Sequence, residues 1–500
     1  MRRLQANGFL RHIGALAVLL ALLVLLAPLT SHAAAPMGFD EARHLLNRTS
    51  FAANVDDINA FAKLSRAQAV DQLLAWTGTY KVGTPPPAWI NDFQSPRRLR
   101  AMSEEQRKVA QREQVQKGLE LRGWWMTEMI ATPSPLTEKM VLFWHNHFVS
   151  SLQKVRSPVL MYRQQLVLRK HALGYFGDLL HEVAKDPAMV VYLDNASNRK
   201  AQPNENFARE VMELFTLGEG NYTEADVKEA ARAFTGWSID PDSGDYLWRP
   251  AIHDEGVKTV LGRSGNFDGD AVLDILLAQP STAELVVGKL WREFVSPAPE
   301  AAEVKRIARM FRDNRYNVKV ALRALLTSDA FYAPQNRAAL IKSPVDLVVG
   351  TARQFRVEAA DALPFVLASR QLGQDLFAPP NVKGWPGGEA WINSATLLQR
   401  KQLLDRLFQP QDRRAQLMAV NAPAEMQNGG QQAGGEARER FMRSMASVRF
   451  DEARWRAQFS ANEPLMTKVL LAGEPVAARP QLQGMEQLRQ LVLDPSYQLK

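Results

Sequence analysis

The stretch Asn204-Glu-Asn-Phe-Ala-Arg-Glu-Val-Met-Glu-Leu-Phe-Thr-Leu217, followed by Gly218-Glu-Gly-Asn-Tyr-Thr223, decides the fold class. Phe207, Val211, Leu214 and Phe215 recur at intervals of three and four and so share one face of a helix. Gly218 stands where that helix ends, because glycine enters the left-handed C-cap conformation without steric cost. Thr223 then offers its hydroxyl to a new helix, and Asp226 three residues on acts as a capping-box acid. The reading is a helical hairpin.

The same periodicity runs outward in both directions. Phe39 to Leu46 begins the helical part, and a charged segment from Ser103 to Arg122 leads into Trp124-Trp125-Met126. Pro135 opens a helix whose stripe Leu136, Met140, Trp144, Phe148, Leu152 repeats every four residues. One stretch departs from it. From Trp237 to Leu261 the turn Asp240-Pro-Asp-Ser-Gly244 and the alternation of Tyr246 and Trp248 predict a β-hairpin between helices. Helices resume at Asp268 and continue through Leu326. The ends Leu322 to Tyr332 and Leu491 to Leu499 echo each other as a degenerate helical repeat would. Between Asn421 and Glu436, Gly and Gln crowd together without periodicity and predict a linker. The expected architecture is mainly α: a multi-helical array over residues 34–420 with a small β-hairpin insert around residues 237–261, the linker 421–436, and a small helical segment at 437–500.

At the N-terminus, Arg2, Arg3 and Arg11 precede an apolar run from Ile13 to Ala27 and the small-residue stretch Ser31-His-Ala33. That layout predicts a signal peptide over residues 1–33, cleaved after Ala33, with a retained membrane anchor as the alternative. The expected location is periplasmic or secreted, with no stable membrane span once the signal is removed. The chain has no cysteine, which excludes disulfides and a lipidated Cys. Loss of residues 1–33 would remove three Arg and no acid, taking the net charge from +8 to +5. No basic run interleaves with aromatics, so nucleic acid is not an expected partner.

Several blocks occur in order along the chain. They are Phe143-Trp-His-Asn-His-Phe148, the Asn204 to Thr223 stretch, Ala231-Arg-Ala-Phe-Thr-Gly-Trp237, and His253-Asp254 with Gly256 and Lys258. Gly265-Asn-Phe-Asp-Gly-Asp270 and Pro379-Pro-Asn-Val-Lys-Gly-Trp-Pro-Gly-Gly388 with Trp391-Ile-Asn393 complete the series. Together they resemble the signature of a bacterial family, domain of unknown function 1800, whose members are mostly large exported helical proteins. The resemblance implies the fold class and export, and a partner of the exported phosphatase or sulfatase type. It lends no reaction.

Three constellations carry candidate chemistry. His145 and His147 form a His-x-His pair, a metal chelate on a strand; on a helix, residues two apart point about 200° apart, so joint ligation needs a break in the helix. The alternative is a buried, hydrogen-bonded His147. Asn206, Glu210 and Glu213 fall at i, i+4 and i+7 along the edge of an apolar stripe, where two carboxylates and an amide suit acid–base work, substrate contact or metal ligation. The structural alternative is a polar network fixing helix packing, with Glu205 and Arg209 as an ordinary ion pair. His253 and Asp254, with Lys258, present a candidate base, its orienting carboxylate and a cation for an anionic substrate group, or else a turn held by an Asp side chain. Trp385 and Trp391 are candidate sugar-stacking residues or core plugs.

No cofactor is fixed by this residue set; a divalent transition metal is the candidate, with His145, His147 and Glu213 as candidate ligands. Gly-x-Ser-x-Gly, His-Glu-x-x-His, P-loop and dinucleotide motifs are absent. Gly218 to Asp226 lacks the acids of an EF-hand loop, and Asp268 is read as a helix N-cap. Two function classes stay open. One is a binding or assembly protein of the cell envelope or exterior; the other is a metal-assisted hydrolase acting on an extracytoplasmic substrate.

Overall fold

The computed structural model describes residues 35–79, 81–408, 439, 443–459, 462–477 and 482–500. The expected signal peptide and the 421–436 linker lie outside them. α-Helices dominate, and the strands form two small antiparallel pairs.

Helix Glu104–Ala131 begins at a capping box in which Ser103 and Gln106 satisfy each other's backbone N–H groups. Its first half is solvated. Its second half buries Leu121, Trp124, Trp125, Met126 and Met129 against helices Pro158–His171, Pro344–Gln354 and Leu363–Gln371. Helix Pro135–His147 starts with Pro at a position where no N–H is needed, and it is buried along most of its length. The stripe expected to reach Leu152 is interrupted. Phe148 leaves helical geometry, and Ser151 caps a separate short helix, Leu152–Val155, by accepting from Gln153 N. Two serines in succession, Ser150 and Ser151, favour such local side-chain bonds over continued helix.

The hairpin read from residues 204–226 is present with one difference. Helix Asn206–Glu210 continues as a π-helix over Val211–Thr216, where Leu217 N bonds the carbonyl of Met212 and Thr216 Oγ1 that of Val211. Gly218 follows at φ +82°, and Thr223 and Asp226 form the capping box of helix Glu224–Ala233. Arg209 binds both carboxylate oxygens of Glu224 at 2.6 and 2.7 Å, which ties the two helices across the turn.

The β insert contains two hairpins. Strand β1 (Trp237–Ile239) pairs with β2 (Tyr246–Trp248) in the register Trp237↔Trp248, and the Asp240 side chain accepts from Asp242 N and Ser243 N to shape the turn. Gly244 is required there: it has φ +74°, and a Cβ would lie 2.8 Å from the Phe93 ring. The second pair, β3 (Lys258–Val260) and β4 (Arg263–Gly265), turns on Leu261 and Gly262, both at positive φ. That turn lies at the far edge of the expected insert, and its first residue is a leucine, which carries no turn signal.

Asp268 caps helix Gly269–Leu277 by accepting from Ala271 N at 2.9 Å. Helices Pro280–Phe294, Ala301–Asp313 and Val318–Leu326 follow, packed on one another. The described residues from Met37 onward form one compact unit around a continuous apolar core. The C-terminal segment joins it through antiparallel bridges Glu358↔Arg449 and Ile341↔Leu499, and Trp455 donates to the Gln354 carbonyl at 2.7 Å. Among the described residues no single helix is long and apolar enough to cross a membrane.

Candidate functional site

His145 and His147 leave helix Pro135–His147 into different surroundings. His145 is buried in an aromatic box of Trp125, Phe377 and Trp385, with ring centroids 5.4 to 5.7 Å away. Its Nε2 has no hydrogen-bond partner among the described residues, and burial pushes the imidazole down to about 3, so it is neutral. His147 is held at both nitrogens: Nε2 lies 3.1 Å from the Phe215 carbonyl and Nδ1 2.9 Å from Lys289 Nζ. A carbonyl can only accept, so Nε2 carries the proton and Nδ1 accepts from the ammonium. Burial, then the Lys289 charge, keeps His147 neutral. The pair does not converge.

The π-turn explains where these bonds come from. Its i, i−5 pattern and the chain's exit at Gly218 leave the carbonyls of Leu214 and Phe215 to outside donors, and Lys289 takes the first at 2.9 Å while His147 takes the second. Burial lowers Lys289 to about 8. Sequence reasoning missed Lys289, because it lies 142 residues from His147 on a helix whose pattern is otherwise that of core.

On the other side of the same helix, Asn206 donates to the Leu193 carbonyl at 3.2 Å and faces Asp194 at 3.5 Å. Glu213 accepts from Tyr222 OH at 2.5 Å. Glu210 is half-buried, and its carboxylate makes no side-chain hydrogen bond among the described residues. Burial and then the Glu213 charge push its carboxyl upward, while Lys383 and Arg209 pull it back. The field of Glu210 reaches Tyr192, whose phenol is raised by burial and by that carboxylate. An amide, two carboxylates and two phenols thus border one half-exposed edge, with Lys383 beside it on a 3.3 Å pair with Glu219.

The His253 constellation is bonded inward. His253 Nδ1 donates to the Thr235 carbonyl at 2.8 Å, and the ring packs on Trp248 at 4.9 Å. Asp254 turns away from it to a bidentate pair with Arg232 at 2.8 and 3.1 Å, which holds its carboxyl below the usual range. The expected carboxylate–imidazole contact is replaced because a guanidinium fork matches the carboxylate better. Lys258 is buried, bonded to the Asp254 carbonyl and 3.3 Å from Asn266, so it closes the turn from within. His253 and Asp254 border a shallow, open hollow with Lys200 and Glu255.

Trp385 and Trp391 are both buried and plug the core. Asn146, between the two histidines, holds their loop: its Oδ1 accepts from Trp385 N at 2.7 Å and its Nδ2 donates to the Trp385 carbonyl at 3.3 Å. Gly384 allows this approach, since a Cβ there would meet Asn146 Oδ1 at 2.2 Å. The Phe143 to Phe148 block and the Pro379 to Trp391 block are therefore one unit in space. No group of three or more His, Asp or Glu side chains among the described residues is placed to share a metal ion.

Sequence reasoning also missed a buried charge cluster. Lys139 and Lys500 each reach Asp346 at 2.6 Å, and Lys500 lies 3.2 Å from Glu293. Burial alone would raise Asp346, but the two ammonium groups override it and hold the carboxyl well below its usual range.

The model of the family described as "Protein of unknown function (DUF1800)" matches residues 44–499, nearly the whole chain, and the chain belongs to that family. No curated protein and no solved structure matches it.

Proposed function

We propose that this member of the family is a non-catalytic binding or assembly protein that acts in the cell envelope or exterior after export. The observation that supports the reading is the fate of the candidate side chains. His147, His253 and Lys258 spend their polar atoms on internal hydrogen bonds, His145 packs its ring in an aromatic box, and they do so in separate places. Chemistry needs such groups gathered within reach of one substrate position. The proposed partner is an exported protein of the phosphatase or sulfatase type. The test is co-purification from the exported fraction under native conditions. A stoichiometric companion is expected, and a monomer that retains no partner at physiological concentration overturns the reading.

A second reading, hydrolysis, is favoured by one feature: Glu210, half-buried, raised and without a side-chain hydrogen bond among the described residues, beside Glu213. A carboxyl in that state is suited to general acid or base work. Glu210→Gln separates the readings. Under hydrolysis it abolishes activity while folding and secretion stay intact; under assembly it leaves capture of the partner within the range of a surface change. A metal-assisted form of the reaction predicts near-stoichiometric metal by elemental analysis, lost in His147→Ala and Glu210→Gln.

A further inference from the structure

We propose that the cavity between helices Pro344–Gln354, Leu363–Gln371 and Ser394–Leu407 binds an anionic single-chain amphiphile, an alkyl chain with a carboxylate head. Two helices build it by the same pattern. Pro364 and Ala368 on one, and Leu403 and Leu407 on the other, are each four residues apart and so share one face of their helix, turned toward a common space of about 460 Å³. That volume lies within the roughly 300–1,000 Å³ typical of small-molecule pockets. Aliphatic walls around a space this large leave dispersion contacts unmade, in an interior that otherwise packs densely, and an alkyl chain supplies them.

The polar lining selects the head. Among the described residues, Arg370 and Arg406 are the charged ones that line the cavity, and none of the described lining residues is a carboxylate. Arg370 lies 3.7 Å from Asp375. Arg406, in the last turn of its helix, is half-buried and has no ion pair among the described residues. A guanidinium does not shed its charge, and its fork matches a carboxylate in two parallel hydrogen bonds. A neutral lipid would fill the walls and leave Arg406 unanswered; a cationic one would be repelled. This ligand site is independent of the partner proposed above, because none of its lining belongs to the residues weighed there.

The test is calorimetric titration of the full chain, stripped of lipid on a hydrophobic resin, with decanoate and separately with decanol. Saturable binding of one decanoate per chain is expected. Arg406→Gln should weaken decanoate roughly tenfold, the loss of one charge-assisted pair, while decanol affinity stays unchanged. Ala368→Trp, or Leu403→Trp if the first fails to fold, should abolish uptake of both by filling the space. Absence of saturable decanoate binding overturns the proposal. So does binding that survives the folded tryptophan variant, which would place the ligand elsewhere, or decanoate affinity unchanged in Arg406→Gln.

Discussion

Helix Pro135–His147 buries ionisable groups near both ends, by opposite means. Near its start Lys139 is answered by a counter-ion: burial draws its ammonium down, Asp346 at 2.6 Å opposes that, and a second cation, Lys500, competes for the same carboxylate. At its other end His145 and His147 give up charge altogether, one in an aromatic box and one between a carbonyl and an ammonium. The difference follows from chemistry. An imidazole can become neutral within the physiological range, whereas a lysine, with a usual value near 10.4, keeps its proton when a counter-ion is within reach. The first region is therefore fragile to loss of a partner, and the second to loss of pH.

The sharpest way to break this contrast is Asp346→Asn. It leaves two buried ammonium groups with one remaining carboxylate, Glu293, at 3.2 Å from Lys500. A loss of about 3–5 kcal/mol in urea unfolding is expected, the range for orphaning a buried charge. Replacing Lys139, Asp346 and Lys500 together by apolar residues should recover most of it. A single-variant loss under about 1 kcal/mol would show the cluster to be hydrated. The matching change at the other end, Lys289→Met, strips donors from His147 Nδ1 and the Leu214 carbonyl. It should lose about 1–3 kcal/mol, the desolvation cost of unsatisfied polar groups. Retention of full stability would mean that solvent replaces the ammonium.

These two regions differ as much in legibility as in physics. The histidines announce themselves as His-x-His in a strongly periodic helix, and the Thr223–Asp226 capping box, the glycine stop and the first β-hairpin follow from local patterns that the chain obeys. Asp346, Lys139 and Lys500 give no such signal. Their spacing in sequence is 207 and 154 residues, and each alone looks like a solvated charge. The π-turn at Val211–Thr216 was hidden for a related reason. The outside donors that meet its free carbonyls, His147 and Lys289, are remote in sequence, and the local apolar spacing does not separate a π-turn from a continued α-helix. Asn146 is the one missed residue with a findable signal: a polar side chain between two histidines on a buried helix needs a partner, and the glycine at 384 marks where a backbone comes close.

A pH titration sharpens the comparison further. His145 has its folded value lowered to about 3 against a usual 6.5, so the unfolded chain takes up the proton first. The stability tied to its neutral form is complete above pH 6.5 and is lost progressively as pH falls toward 3. His44, lowered to about 3 by burial and by Arg48, adds to the same slope. His145→Phe should change stability at pH 7 by less than about 1.5 kcal/mol, as a near-isosteric swap in an aromatic box does. The variant should flatten the decline between pH 6 and 4 in urea midpoints. An unchanged slope would assign acid lability to the carboxylates instead.

The smallest effect is expected at Glu210, and it tests whether the half-exposed edge belongs to either buried region. Its folded value is raised by burial and Glu213, so the protonated form is favoured on folding. That contribution is present below the usual carboxylate value of 4.5 and lost as pH rises through the raised one. Glutamine cannot ionise and loses nothing over that window. Glu210→Gln should therefore lie within about 0.5 kcal/mol of the parent at pH 7, on the stabilising side, and should remove a shallow decline above pH 4.5. Destabilisation of several kcal/mol would mean that the carboxylate is part of the packing, as Asp346 is. A neutral change places Glu210 outside both buried networks, free to be spent on a partner or a substrate, which is what distinguishes a site from a strut.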